Sequence, residues 1–170
     1  MNTTRLRKCL VLAVLMLASA KLTALDIYLI RHFEKQTEGN DPALTQIGVA
    51  RAQALAKHFE VISLSNIYAT AYKRTQQTAA PLAIKTEQVV TEYSPKNLED
   101  FAAFLLEKQQ RVLVVGHSNT TASLIKALGG PKFSISEDQY GTLYHLYSVD
   151  DQIQMDTTRI ELDNESLNLN

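Results

Sequence analysis

Two histidines lie just after short apolar runs, and this placement makes them candidates for catalysis or for ligand binding. His32 follows the run 27–30 and Arg31, and His117 follows the run 112–115. Short apolar runs that stop abruptly at polar residues are typical of buried parallel strands. In open α/β sheets, ligands bind at the carboxyl ends of such strands. The sequence therefore predicts one crevice that holds two imidazoles and a guanidinium, a set of groups that suits an anion, and phosphate above all.

The rest of the chain supplies the elements that must position these groups. Thr45 has the residue type of an N-cap, and an apolar face predicts a helix from there to Phe59. Strands that alternate with helices predict a three-layer α/β/α sandwich with a mostly parallel central sheet, in a single domain over residues 25–170. The other predicted elements are strands at 25–30, 66–69, 87–90, 111–115, 142–149 and 153–158 and helices at 75–83, 98–108 and 120–128.

Residues 1–24 have the pattern of a secretory signal peptide. Arg5, Arg7 and Lys8 precede an apolar stretch at 10–17, and small residues follow it. A membrane-spanning helix needs about 20 apolar residues, so an uncleaved anchor is the weaker interpretation. We expect cleavage after Ala20 or Ala24, a periplasmic or secreted mature chain, and no stable membrane insertion.

Loss of this segment would make the chain acidic. It leaves 13 of the 17 basic residues against all 18 acidic ones, so the formal charge changes from −1 to −5. No basic field remains to attract nucleic acid, and a phosphate site must be a local cluster of positive charge. The only cysteine, Cys9, would also be removed, which excludes disulfides and thiolate chemistry from the mature chain.

Four segments carry polar motifs in a distinctive order. They are Leu29-Ile-Arg-His-Phe-Glu-Lys35, Leu44-Thr-Gln-Ile-Gly48 with Arg51-Ala-Gln53, Tyr68-Ala-Thr-Ala-Tyr-Lys-Arg-Thr-Gln-Gln-Thr-Ala79 and Val114-Val-Gly-His-Ser-Asn119. In this order they resemble the histidine phosphatase superfamily, which includes cofactor-dependent phosphoglycerate mutases and small bacterial phosphohistidine phosphatases. An Arg-His dipeptide alone would be uninformative, whereas four ordered segments within residues 26–130 are specific.

The resemblance implies that His32 accepts the phosphoryl group and that water then hydrolyses the phosphohistidine. A neutral imidazole is a competent nucleophile, and phosphoryl transfer needs chiefly in-line positioning and neutralised oxygens. Two guanidinium groups and a protonated His117 would supply that charge, so we expect neither a metal ion nor a cofactor. The start of the helix after His117 adds backbone N–H groups. The expected phosphate ligands are Arg31, Arg74, His117, Ser118 and Asn119.

An ester substrate also needs a proton donor for its leaving oxygen. The family commonly places an acid after the third strand, where this sequence has Glu92, with Glu99 and Asp100 as nearby alternatives. A solvated loop carboxylate is the plain alternative for Glu92. Some phosphohistidine phosphatases lack the acid because imidazole leaves more easily, so the presence of Glu92 favours an ester.

Phe33 departs from the family pattern, which usually has glycine after Arg-His. We expect its ring to point away from the phosphate, over the mouth of the pocket. The sequence predicts an exported, metal-independent phosphatase that acts on phosphomonoesters or binds inorganic phosphate. The alternatives are a phosphohistidine protein phosphatase and a non-catalytic phosphate-binding module in which Phe33 blocks attack. Long specificity insertions are absent, which favours a phosphatase over a mutase, and nothing in the sequence indicates an oligomeric state.

Overall fold

A six-stranded sheet with four parallel strands forms the centre of the molecule. The computed structural model describes residues 25–150 and 152–162. The predicted signal peptide lies outside them and stays a prediction. The strands are β1 (Asp26–Arg31), β2 (Asn66–Ala69), β3 (Val90–Glu92), β4 (Arg111–Gly116), β5 (Thr142–Val149) and β6 (Gln152–Arg159). Their order in the sheet is β3-β2-β4-β1-β5-β6, with β5 and β6 as an antiparallel hairpin at one edge. The prediction of a mostly parallel sheet is confirmed.

Helices cover both faces of the sheet and complete the predicted three layers. Alternate side chains of β1 enter two cores, because successive residues of a strand point to opposite faces. The helices are α1 (Gln46–His58), α2 (Lys73–Lys85), α3 (Leu98–Lys108) and α4 (Ser118–Ala127). Tyr28 and Ile30 pack with α1 and α2, while Ile27 and Leu29 pack with α3 and α4. Within the described residues, no helix is long and apolar enough to cross a membrane.

Several element boundaries differ by a few residues from the sequence-based prediction, and two of these differences have clear local reasons. The third strand was expected at 87–90 but occupies Val90–Glu92. Glu87 adopts a left-handed φ of 53°, and the amide of Gln88 donates to the carbonyl of Ala83, so these residues close the preceding helix. The helix expected at 120–128 begins earlier, at Ser118, because Thr120 Oγ1 accepts the amide N–H of His117 at 2.9 Å.

The start of α1 is fitted against the segment that follows His32. Thr45 is the N-cap as predicted, and its hydroxyl accepts the amide N–H of Gly48 at 3.1 Å. A Cβ on Gly48 would lie 2.3 Å from the carbonyl oxygen of Glu34, so only glycine allows this approach. Arg51 holds the Glu34 carboxylate through Nε and Nη2, and its Nη1 donates to the carbonyl of Ile160. These contacts fix the backbone beyond the first histidine.

Candidate active site

The carboxyl ends of β1, β2 and β4 bring His32, Thr70 and His117 together at one edge of the sheet. The parallel register places Ile30 opposite Val115, and the amide of His32 donates to the carbonyl of Gly116 at 2.9 Å. The two imidazole rings lie with their centroids 5.5 Å apart and at 67° to one another. Two distant motifs therefore converge, as the strand ends require.

His32 is buried in its neutral form, with one ring nitrogen available. The ring is 3% exposed, and Nδ1 lies 2.8 Å from the carbonyl oxygen of Phe33. Since a carbonyl only accepts, Nδ1 carries the proton and Nε2 keeps its lone pair. Burial lowers the pKa of His32 to about 3. The hydrogen bond to the Phe33 carbonyl raises this pKa, while Arg31, His117 and Arg74 lower it further. The geometry thus presents Nε2 as a nucleophile at neutral pH.

His117 is also neutral, and its tautomer follows from its partners. Nδ1 lies 3.2 Å from Arg74 Nη2, and Nε2 lies 3.0 Å from Thr70 Oγ1. Since a guanidinium only donates, Nδ1 accepts and Nε2 carries the proton toward Thr70. Burial, then Arg74 and Arg31, lower the pKa of His117 to about 4, while Glu137 acts in the opposite direction. In the ligand-free protein at neutral pH the ring is therefore neutral, and the expected protonation of His117 beside bound phosphate stays a prediction.

Thr70 holds the His117 ring through a buried chain of hydroxyls. Its Oγ1 lies 2.9 Å from Thr75 Oγ1, and the Thr75 hydroxyl donates to the Thr70 carbonyl at 2.8 Å. The Thr70 hydroxyl therefore donates to Thr75 and accepts from His117. Thr70 directly follows β2 and precedes Arg74 by four residues, and this position is the sequence signal that marks it.

Arg31 is almost completely buried, and the loop of residues 129–141 holds it. Nη1 donates to the carbonyls of Ser136 (2.8 Å) and Gln139 (3.1 Å), and Nη2 pairs with the carboxylate of Glu137 at 3.0 Å. The ring of Tyr140 lies 4.2 Å from the guanidinium carbon. The buried Nε–H has no acceptor among the residues that the structure describes.

Arg74 projects from the first turn of α2 toward the same place. Nη2 contacts His117, Nη1 lies 3.6 Å from Asp41 Oδ1, and the guanidinium stacks 4.5 Å from the centroid of Tyr72. Its Nε–H is also buried without an acceptor in the described part of the chain. Buried donors are normally paired, and guanidinium groups pair best with oxyanions. The two arginines therefore offer matching N–H groups to an anion.

Ser118 and Asn119 occupy the first turn of α4. Ser118 is buried, and its hydroxyl donates to the Glu137 carboxylate, while Asn119 is exposed. The first amides of a helix lack partners within that helix and lie at the positive end of its dipole. A Cβ on Gly116, just before this turn, would lie within 2.9 Å of the hydroxyls of Thr120 and Thr121. The turn is therefore close-packed and presents backbone donors beside the two histidines.

Glu92 stands apart from this constellation. It is exposed at the end of β3, opposite Ala69, and its side chain makes no hydrogen bond or ion pair with any described residue. Glu99 and Asp100 are exposed in the first turn of α3. The carboxylate that does contact the site is Glu137, which sequence reasoning missed. It lies in a loop without a motif, so no sequence signal could have found it.

Phe33 does not lie over the mouth of the pocket, and that expectation is wrong. Its ring is fully buried in the core beside α1 and α2, and its amide lies 3.2 Å from Thr78 Oγ1. The backbone can therefore follow His32 closely while the ring packs behind it. Among residues 25–150 and 152–162, no group of three His, Cys, Asp or Glu side chains is placed to hold a metal ion.

A family model matches part of this chain. Residues 27–103, which are less than half of the chain, match the model of the histidine phosphatase superfamily, branch 1. Over these residues the chain is similar to that superfamily, and the second-histidine segment lies beyond them. No curated protein matches the sequence.

Solved structures share the fold at low sequence identity. A mycobacterial glucosyl-3-phosphoglycerate phosphatase superposes with a TM-score of 0.66 at 14% identity, over 80% of this chain and 99% of that one. The alpha-ribazole phosphatase from Shigella flexneri gives 0.64 at 15%, over 82% and 100%. The protein histidine phosphatase SixA, complexed with tungstate, gives 0.62 at 12%, over 79% and 97%. These identities support the shared fold alone.

Proposed function

We propose that the protein hydrolyses phosphomonoesters through a phosphohistidine on His32. One observation carries the proposal: a neutral histidine with a free Nε2 lies beside two arginines whose buried Nε–H groups have no acceptor in the described chain. Nε2 would attack phosphorus, and the bond to the leaving oxygen would break as that oxygen takes a proton. Water would then attack the phosphohistidine, lose a proton and release inorganic phosphate.

The roles of the other residues follow from their chemistry. Arg31, Arg74 and the first turn of α4 would neutralise the phosphoryl oxygens, so the proposed reaction uses no metal ion or cofactor. Neutral His117 carries a proton on Nε2, and an approaching phosphate dianion would favour its protonated form. Glu92 stays our proposed proton donor on the basis of the family resemblance, although its side chain must turn toward the leaving oxygen.

A phosphohistidine protein phosphatase is the second candidate. The isolation of Glu92 from the site favours it, because an imidazole leaving group needs less help from an acid. The tungstate-bound SixA shares this fold. A non-catalytic phosphate-binding module is less supported, since the ring of Phe33 is in the core and does not block the approach to His32.

The proposed location is the periplasm or the cell exterior, on the strength of the signal-like pattern at 1–24. Phosphorylated sugars of the cell surface and scavenged phosphate esters would be within reach there, whereas cytosolic intermediates would not. The partners we propose are a small phosphorylated substrate and inorganic phosphate, with no nucleic acid and no lasting membrane insertion.

The first test is phosphate release from an aryl phosphate in the presence of EDTA, for the wild type and His32→Ala. We expect activity in the wild type and a loss of about 10³-fold or more in the variant. His58→Ala, which removes a histidine from α1, is the matched control and should retain activity. Retained turnover in His32→Ala would contradict the phosphohistidine route. Glu92→Gln should slow alkyl esters but not phosphohistidine; equal losses on both would remove Glu92 as leaving-group acid.

A further inference from the structure

We propose that Glu137 determines which leaving groups the site accepts. Its carboxylate, placed at the mouth of the phosphate site, selects phosphomonoesters whose leaving group is neutral or cationic and rejects those with a negative charge close to phosphorus. This inference rests on the proposed function, because it names the substrate class of the same site.

The contacts of Glu137 place its charge directly against two predicted phosphate ligands. Its carboxylate pairs with Arg31 Nη2 at 3.0 Å and accepts the hydroxyl of Ser118. The side chains of the pair differ sharply in exposure, 3% for Arg31 and 76% for Glu137. The carboxylate therefore lies at the boundary between the buried anion site and solvent, where the leaving group of a bound ester must project.

The backbone around Glu137 is held as firmly as its carboxylate. Arg31 Nη1 binds the carbonyls of Ser136 and Gln139, one on each side of Glu137 in the chain. A phosphoryl group can displace the carboxylate from Arg31 Nη2 without breaking these two bonds. Its negative charge then stays within a side chain's length of the mouth, so the leaving group meets it in the bound complex.

A second acid stands on the other side of the site. Asp41 lies 3.6 Å from Arg74 Nη1, so each arginine faces one carboxylate from a flanking loop. Ammonium or hydroxyl groups of a leaving group can donate to these oxygens, whereas a carboxylate or second phosphate meets like charge. The arginines thus attract the phosphoryl group, and the two carboxylates at the mouth of the site discriminate among leaving groups.

Two lysines would favour a negatively charged leaving group, but they lie farther from the phosphate site. Lys126 and Lys132 line a groove of about 410 Å³ that begins at Ser118 and Asn119. Lys126 lies seven residues after Asn119 on α4, which corresponds to about 10 Å along the helix. A negative group near phosphorus therefore meets Glu137 first. Only a long leaving group with a distal anion could reach the lysines.

The test compares three phenyl phosphates that differ in one para substituent. They are phenyl phosphate, 4-(aminomethyl)phenyl phosphate and 4-carboxyphenyl phosphate, measured as kcat/KM with wild type, Glu137→Gln and Glu107→Gln. Glu107 is exposed near the end of α3, just before the amino end of β4, and serves as the charge-matched control. Because each comparison is a ratio between enzymes, the intrinsic reactivity of each ester cancels.

We expect the aminomethyl-to-carboxy ratio to fall about three- to tenfold in Glu137→Gln and to stay unchanged in Glu107→Gln. Salt at about 0.5 M should shrink the difference. An unchanged ratio in an active Glu137→Gln enzyme would overturn the proposal. So would a wild-type preference for the carboxy ester, which would assign selection to Lys126 and Lys132.

Binding measurements separate this proposal from the proposed function. The three corresponding phenylphosphonates cannot be hydrolysed, and calorimetry gives their dissociation constants with the same three proteins. If the wild type hydrolyses none of the esters but the phosphonate affinities show the expected ratio change, the proposed hydrolysis fails and charge selection stands. If the phosphonates bind without any ratio change, charge selection is overturned. If the wild type neither hydrolyses the esters nor binds the phosphonates, both proposals are overturned.

Discussion

The carboxyl and amino ends of the parallel strands both carry arginine and histidine side chains, but these side chains have different partners at the two ends. At the carboxyl ends, Arg31 and Arg74 lie beside two histidines. At the amino end of β1, Asp26 contacts both other side chains of its cluster: Oδ1 lies 2.9 Å from His145 Nε2, and Oδ2 lies 2.5 Å from Arg111 Nε. In the first cluster each arginine meets its own carboxylate from a flanking loop, whereas in the second one shared carboxylate contacts both side chains.

That carboxylate decides whether the donors are paired within the chain. Arg111 Nε has its acceptor in Asp26, whereas the Nε–H groups of Arg31 and Arg74 have none among the described residues. A buried donor without an acceptor destabilises the protein. An anion that supplies oxygens is therefore favoured at the carboxyl ends of the strands and not at the amino end of β1. Arginine and histidine together therefore do not define a binding site; their unpaired donors do.

Among the substitutions that test this comparison, Arg74→Ala should have the largest effect on activity, because it removes a charge that only an anion can fully pair. We expect kcat/KM to fall about 10²- to 10³-fold, the scale for the loss of one preorganised donor to a transition state. Initial rates of phosphate release measure it, and a thermal melt checks that the fold survives. Arg159→Ala on β6, also the loss of a partly exposed arginine, should leave kcat/KM unchanged. Equal losses in both variants would contradict a specific role for Arg74.

Thr70→Val should have a smaller effect, since Thr70 acts on the reaction only by orienting His117. The substitution keeps the shape but removes the acceptor for Nε2–H, so we expect about a tenfold lower kcat with KM little changed. Thr70→Ser, which keeps the hydroxyl, should recover most of the activity. Thr91→Val, the same change at an exposed position of β3, is the control. Failure of serine to restore kcat would mean that the methyl packing of Thr70, and not its hydroxyl, matters.

The sequence predicted the layers, the sheet and the convergence of His32 and His117 because strand patterns and motif order are local signals. It did not predict the protonation state of His117, because burial and the nearby guanidinium groups arise only on folding. It also missed Glu137, which reaches Arg31 from a loop 106 residues away in the chain. The buried ring of Phe33 depended likewise on the packing of α1 and α2, which no single strand pattern contains.

Burial of His32 at the carboxyl end of β1 should make the free energy of unfolding decrease as the pH falls. The pKa of His32 is lowered to about 3 in the fold, against an ordinary value of 6.5. A lowered folded-state pKa gives stability that is present above pH 6.5 and is lost as pH falls from there toward 3. We expect His32 to contribute a loss of roughly 1 kcal/mol per pH unit between pH 6 and 4.

Urea unfolding in phosphate-free buffer measures this dependence, because bound phosphate would itself stabilise the fold. His32→Gln removes the titrating group, so its unfolding free energy should vary less steeply over the same range. Parallel pH curves for the wild type and His32→Gln would contradict the lowered pKa of His32.

Arg111→Ala should have the smallest effect, and it tests the comparison from the other edge. The Arg111 side chain is 45% exposed, and its pair with Asp26 lies in reach of solvent. Exposed ion pairs contribute about 0–1 kcal/mol, so we expect a loss of stability within that range by urea unfolding. Because its Nε–H is paired with Asp26 and it lies away from the two histidines at the carboxyl ends, kcat/KM for aryl phosphates should not change. A loss of activity that approaches that of Arg74→Ala would show that the two edges are coupled, and that unpaired donors alone do not distinguish the site.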